Sequence, residues 1–116
     1  ATSMASKPSK VFILAGQSNM CGRAEAKKLS NDLKAPYARI QMKYDVDRNF
    51  GSPWATNTAW EPVQPQKSPG LKKTLFGPEI TLARDIAPLY DDGTKIYFIK
   101  FAMGSTNLYQ NWNPKK

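Results

Sequence analysis

A chain of 116 residues, 41% of them hydrophobic and 22% charged, has the composition of one soluble globular domain and leaves no room for a second. The 17 Lys and Arg outnumber the 9 Asp and Glu to give a net charge of +8, yet the basic residues are scattered (Lys27-Lys28, Lys67, Lys72-Lys73, Lys115-Lys116), which argues for a solvated surface and against nucleic acid as a partner. No apolar run approaches the ~20 residues of a membrane span, a single cysteine excludes a disulfide framework or a cysteine-rich metal site, and zero histidines remove the usual general base.

Residues 1–9 are small and polar and lack the apolar middle of a signal peptide, so they are expected to form a flexible N-terminal segment, with the domain in residues 10–116 and the compartment left open. Val11-Phe12-Ile13-Leu14 is a continuous apolar run, which suits a strand covered on both faces as in a parallel sheet. It stops at Gly16 and delivers Gln17, Ser18, Asn19 and Met20. In open α/β sheets ligands bind beyond the carboxyl ends of strands, where a following helix also offers unpaired N–H groups. Ser18 stands there, although Ser and Asn are equally common helix caps. Cys21 reads as a small buried hydrophobe.

Residues 23–33 carry a thin apolar stripe that suits a short helix or ordered loop, ended by Pro36. Ile40, Met42 and Tyr44 alternate with polar neighbours, which predicts a half-buried strand over 38–44. Residues 45–75 hold Gly51, Pro53, Pro62, Pro65, Pro69 and Gly70, a density of breakers that predicts an extended surface excursion. Trp54 and Trp60 on it suit either sugar stacking or anchoring of the loop. Pro78 and Glu79 open a helix of about ten residues, with Ile80, Ala83, Ile86 or Ala87, and Tyr90 on one stripe and Pro88 near its end. Asp91-Asp92-Gly93 reads as a turn and Lys95 to Phe101 as a second sheet strand. Strand, helix, strand in this order predicts a right-handed crossover and a parallel sheet.

Gly16-Gln17-Ser18-Asn19-Met20 after such a strand resembles the first block of the SGNH hydrolases, and more narrowly the sialate O-acetylesterase and acetylxylan esterase branch. Trp60-Glu61-Pro62, Phe76-Gly77-Pro78-Glu79 and the stretch Ala102-Met103-Gly104-Ser105-Thr106-Asn107-Leu108 followed by Trp112-Asn113-Pro114 extend the resemblance from Lys10 to Pro114. It implies an α/β, three-layer SGNH (flavodoxin-like) fold with a parallel sheet, here an incomplete, N-terminal portion of it. The implied activity is removal of O-acetyl groups from an acetylated carbohydrate by serine nucleophilic catalysis, without metal or organic cofactor.

The resemblance makes Ser18 the nucleophile. The N–H groups of Ser18 and Gly104 would be the oxyanion donors, glycine permitting close approach and unusual φ, with Gln17, Asn19 and Thr106 as supports. Ser105 departs from the family's second glycine, so a positive φ there would strain the loop. The family's later blocks, including its Asp-x-x-His pair, have no counterpart, so the base must come from a missing C-terminal segment or a second chain, unless the chain is naturally inactive. A non-catalytic carbohydrate-binding or interaction module is the alternative. The missing strands and helix also predict an exposed apolar edge and face.

Overall fold

The computed structural model describes residues 8–48, 53–69, 71–107 and 109–115. The expected flexibility of residues 1–7, and the positions Gly51, Gly70 and Leu108, lie outside them; Ser9, placed in the flexible segment by the sequence, belongs to the first strand, where it pairs with Lys95.

Three long strands make the centre. β1 (Ser9–Gly16) is followed by a single helical turn, α1 (Ser18–Cys21), then by a two-residue strand β2 (Ala24–Glu25) and a short helix α2 (Asn31–Lys34). β3 (Tyr37–Asp47) leads into the proline-rich stretch, which holds β4 (Ala55–Thr56), β5 (Glu61–Val63), β6 (Gln66–Ser68) and β7 (Lys73–Phe76). Helix α3 (Glu79–Ile86) and β8 (Lys95–Met103) complete the chain. β8 lies between β1 and β3 and is parallel to both, with Gly16 opposite Ala102 and Asp47 opposite Met103. The parallel centre expected from strand, helix and strand is therefore present. The sheet is nonetheless mixed, because β4 and β5 pair antiparallel with β3. Residues 45–75 do more than skirt the surface: β6, β7 and β2 form a small antiparallel sheet of their own, and Ala55, Val63, Gln66 and Leu75 are buried.

Alternation along the strands decides which face is covered. Phe12 and Leu14, Ile40 and Met42, and Ile96 and Phe98 point to one side, where Ile80 and Ala83 of α3 and Ala87 just beyond it pack on them. The three-residue spacing of α3 thus meets the two-residue spacing of the sheet, as the apolar stripe requires. The 3₁₀ turn Ala87–Leu89 takes over where Pro88 forbids further α-helix.

The other face differs from the sequence expectation. Val11 is 54% and Ile13 74% exposed, and Ile99 and Phe101 are also exposed, so β1 is not covered on both sides. The physical reason is that the described elements supply helix to one face only. Trp54 and Trp112 lean on Phe101 (ring centroids 5.7 and 5.8 Å), and Trp60 lies on Tyr97 at 4.9 Å, which makes Trp54 and Trp60 anchors for their loop. β1 also ends the strand order, its outer edge unpaired among the described residues. A bare apolar face beside a free parallel edge drives association. This chain alone is expected to self-associate in light scattering, and Ile13→Lys to shift it toward monomer; a stable monodisperse monomer of the unaltered chain would contradict this.

Candidate active site

Because β1 and β8 are parallel neighbours in register, their carboxyl ends leave the sheet side by side. Ser18 follows one and Gly104 the other. Gln17, Ser18, Cys21, Arg23, Arg48, Gly104 and Ser105 surround a cavity of about 260 Å³, and a second, of about 390 Å³, is formed by Ala15, Gly16, Gln17, Thr106, Asn107 and Trp112. Gln17 stands between the two.

Ser18 begins α1. Gln17 caps that turn: its Oε1 accepts from the Ser18 N–H at 3.3 Å and from the Ser18 Oγ at 3.1 Å. The Met20 and Cys21 N–H groups donate to the Gln17 carbonyl, each at 2.9 Å. Gln17 therefore touches both the backbone N–H and the hydroxyl of Ser18. Thr106 also sits where support is useful, since its hydroxyl donates to the Met103 carbonyl at 2.8 Å and accepts from Trp112 Nε1 at 2.9 Å, closing the exit of β8. Asn19 does not join them. It is exposed on α1, and its side chain makes no hydrogen bond among the described residues.

Gly104 differs from expectation in two respects. Its N–H donates to the Asp47 carbonyl at 3.0 Å, so in this conformation it is not turned toward an oxyanion. Nor is glycine required there by sterics: a Cβ would meet Asp47 O at an ordinary 3.5 Å, and Gly104 is not among the positive-φ residues. The left-handed conformation falls on Ser105, at φ 60°, which is the strain expected from the missing second glycine. Glycine is instead indispensable on the near side of the cavity. Gly22 has φ 82°, and a Cβ on it would collide with the Phe76 carbonyl and Gly77 Cα. A Cβ on Gly77 would in turn lie 2.8 Å from the Met20 carbonyl. The serine-bearing turn is thus seated directly on the loop that starts α3.

Beneath that seat lies a buried polar cluster absent from the sequence expectations. Lys100 Nζ donates to Glu79 Oε1 at 2.6 Å, and both side chains are fully buried. Glu79 Oε2 accepts from Gln66 Nε2 at 2.9 Å and from the Gly77 N–H at 3.0 Å. Gln66 Oε1 receives Arg48 Nη2 at 2.6 Å. The cluster reaches the turn through two cations: Lys100 Nζ donates to the Cys21 carbonyl at 3.1 Å, and Arg48 Nε to the Cys21 and Gly22 carbonyls at 3.0 and 2.6 Å. Burial pulls the Lys100 ammonium below the ordinary lysine value, the Glu79 charge opposing it. Cys21 is buried as expected, donating through Sγ to the Asp47 carbonyl at 3.3 Å, and burial pushes its thiol up. One signal for the cluster was visible in the sequence, because Lys100 occupies a core-facing position of β8 between Phe98 and Ala102.

Comparison with known proteins bears on the fold and the family. The solved structure of NanS shares the fold at a TM-score of 0.56 and 18% sequence identity, covering 89% of this chain. This chain spans 37% of that one, so it corresponds to a part of the larger fold. The comparison with curated proteins gives no match. The family model described as carbohydrate esterase, sialic acid-specific acetylesterase matches residues 8–116. The match covers nearly the whole sequence, and this chain belongs to that family of carbohydrate esterases.

Proposed function

We propose that the chain is the nucleophile-bearing part of a serine-dependent O-acetylesterase acting on an acetylated sugar, with sialic acid the sugar suggested by the family. The observation that carries this reading is the placement of Ser18 at the carboxyl edge of the parallel strands, across a cavity from the Gly104-Ser105 turn. Ser18 Oγ forms a bond to the acetyl carbon, its proton passing to a base; the carbonyl π electrons move to oxygen. Collapse of that oxyanion breaks the bond to the sugar oxygen, which takes the proton. Water then attacks the acetyl-serine by the same route in reverse and releases acetate.

The base is a histidine on a polypeptide outside this sequence, which contains none. The open edge of β1 and the face bearing Val11, Ile13, Ile99 and Phe101 offer that polypeptide its place to pack. For the oxyanion, the Ser18 N–H, whose bond to Gln17 Oε1 is a long 3.3 Å, is one donor. The second comes from the Gly104-Ser105 turn, where the Ser105 N–H lacks a partner among the described residues and Gly104 serves once its bond to Asp47 opens.

Ser18→Ala tests the reading. In the protein complete with its histidine-bearing part, hydrolysis of an aryl acetate is expected to fall by ~10³-fold or more with circular dichroism unchanged. Undiminished turnover would remove Ser18 from the mechanism, and absence of turnover in the unaltered complete protein would make a carbohydrate-binding module the better description.

A further inference from the structure

We propose that Lys100 is a positioning residue for Ser18, an inference that rests on the esterase reading. α1 is one turn of four residues, and a single turn has no stability of its own. It must be held from outside, and at its far end the Cys21 carbonyl accepts from Lys100 Nζ at 3.1 Å beside Arg48 Nε at 3.0 Å. Lys100 belongs to β8, directly opposite Leu14 of β1, and the same strand runs on to the Gly104-Ser105 turn. One side chain thereby ties the turn that carries the nucleophile to the strand that carries the opposite wall of the cavity. Glu79 fixes the ammonium at 2.6 Å and is itself fixed by Gln66 and the Gly77 N–H.

Stability does not explain a lysine at this position. The other core-facing residues of β8 are Ile96, Phe98 and Ala102. A buried ion pair is commonly no more stabilising than well-packed apolar residues of the same volume. What an apolar residue lacks is a donor aimed at the Cys21 carbonyl. Lys100 acts on the reaction only through that carbonyl, by setting where Ser18 stands relative to Ser105.

The double variant Glu79→Gln/Lys100→Met removes the Lys100 donor and its carboxylate partner together, while Arg48 stays as a buried cation bonded to the Cys21 and Gly22 carbonyls. In the chain itself, hydrogen exchange at the Met20, Cys21 and Gly22 amides is expected to accelerate at least tenfold while β8 amides keep their protection. In the protein complete with its histidine-bearing part, kcat for an acetyl ester is expected to fall at least tenfold with KM within twofold. Unchanged kcat together with unchanged protection of α1 would overturn the assignment. Should the double variant fail to fold, Lys100→Arg, which keeps the charge pair but moves the donor, is read by the same two measurements and the same outcomes. Turnover that survives Ser18→Ala would sink the Ser18 nucleophile assignment instead, and hydrogen exchange would still decide whether Lys100 holds the turn.

Discussion

Replacing Glu79 with alanine is expected to lower the unfolding free energy by about 3–5 kcal/mol, the cost of breaking a fully buried pair from one side. The Lys100 ammonium would remain in the core without its partner at 2.6 Å, and Gln66 Nε2 and the Gly77 N–H would lose the acceptor they share. Glu79→Gln/Lys100→Met is expected to recover part of that loss, because neither charge of the pair is left behind, although the buried Arg48 still loses the Glu79 charge. Chemical denaturation of the three proteins side by side measures both, and a loss under about 1 kcal/mol for the alanine variant would mean that the pair is solvated. The same carboxylate gives the fold an acid dependence. Burial acts to raise the Glu79 pKa, but the Lys100 charge and the hydrogen bonds from Lys100, Gln66 and the Gly77 N–H outweigh it, so the carboxyl sits below the ordinary glutamate value. A group with a lower pKa folded than unfolded adds stability above its unfolded value, about 4.3, and that stability is lost as pH falls toward the folded value. Acidification below about pH 4.3 should therefore destabilise the wild type more than Glu79→Gln.

The elements legible in the sequence were those whose side-chain period extends over several turns or pleats. β1, β3, α3 and β8 each place enough apolar residues on one face to announce themselves, and β1 and β8 brought Ser18 and Gly104 to one edge as their apolar runs implied. β4 to β7 escaped because strands of two to four residues between prolines have no period to read. The exposure of Val11 and Ile13 escaped for a different reason: an apolar run records what a strand is built to be covered by, and the described residues do not supply that cover. The buried cluster was hidden by local plausibility. Glu79 is an ordinary residue for a first helical turn and Lys100 an ordinary interruption of a strand, so only their juxtaposition across α3 and β8 reveals the pair. Glycine was likewise misplaced by local reasoning, which looked for conformational freedom at Gly104, whereas the need arises at Gly22, where two backbones touch.

That contact makes Gly22→Ala the most damaging single-methyl change available near the candidate site. At φ 82° an alanine is strained by about 1–3 kcal/mol before any neighbour is considered. The added methyl also overlaps the Phe76 carbonyl and Gly77 Cα, both backbone, so no side chain can rotate to make room. The turn bearing Ser18 must lift from the loop that begins α3. Lifting it lengthens the bonds from Lys100 and Arg48 to the Cys21 and Gly22 carbonyls, so the loss should reach about 3–4 kcal/mol in denaturant unfolding. A nucleophile displaced by about 1 Å loses on the order of 10²-fold in rate, so under the esterase reading hydrolysis should drop accordingly, even where the variant still folds. Gly104→Ala is the matched control, because its methyl meets only Asp47 O at 3.5 Å and its N–H keeps the bond to that same oxygen. It is expected to cost less than about 1 kcal/mol. Comparable losses at the two glycines would mean that the turn is not seated on Phe76 and Gly77. A loss confined to Gly22 would place the mechanical support of Ser18 at the contact between α1 and the start of α3.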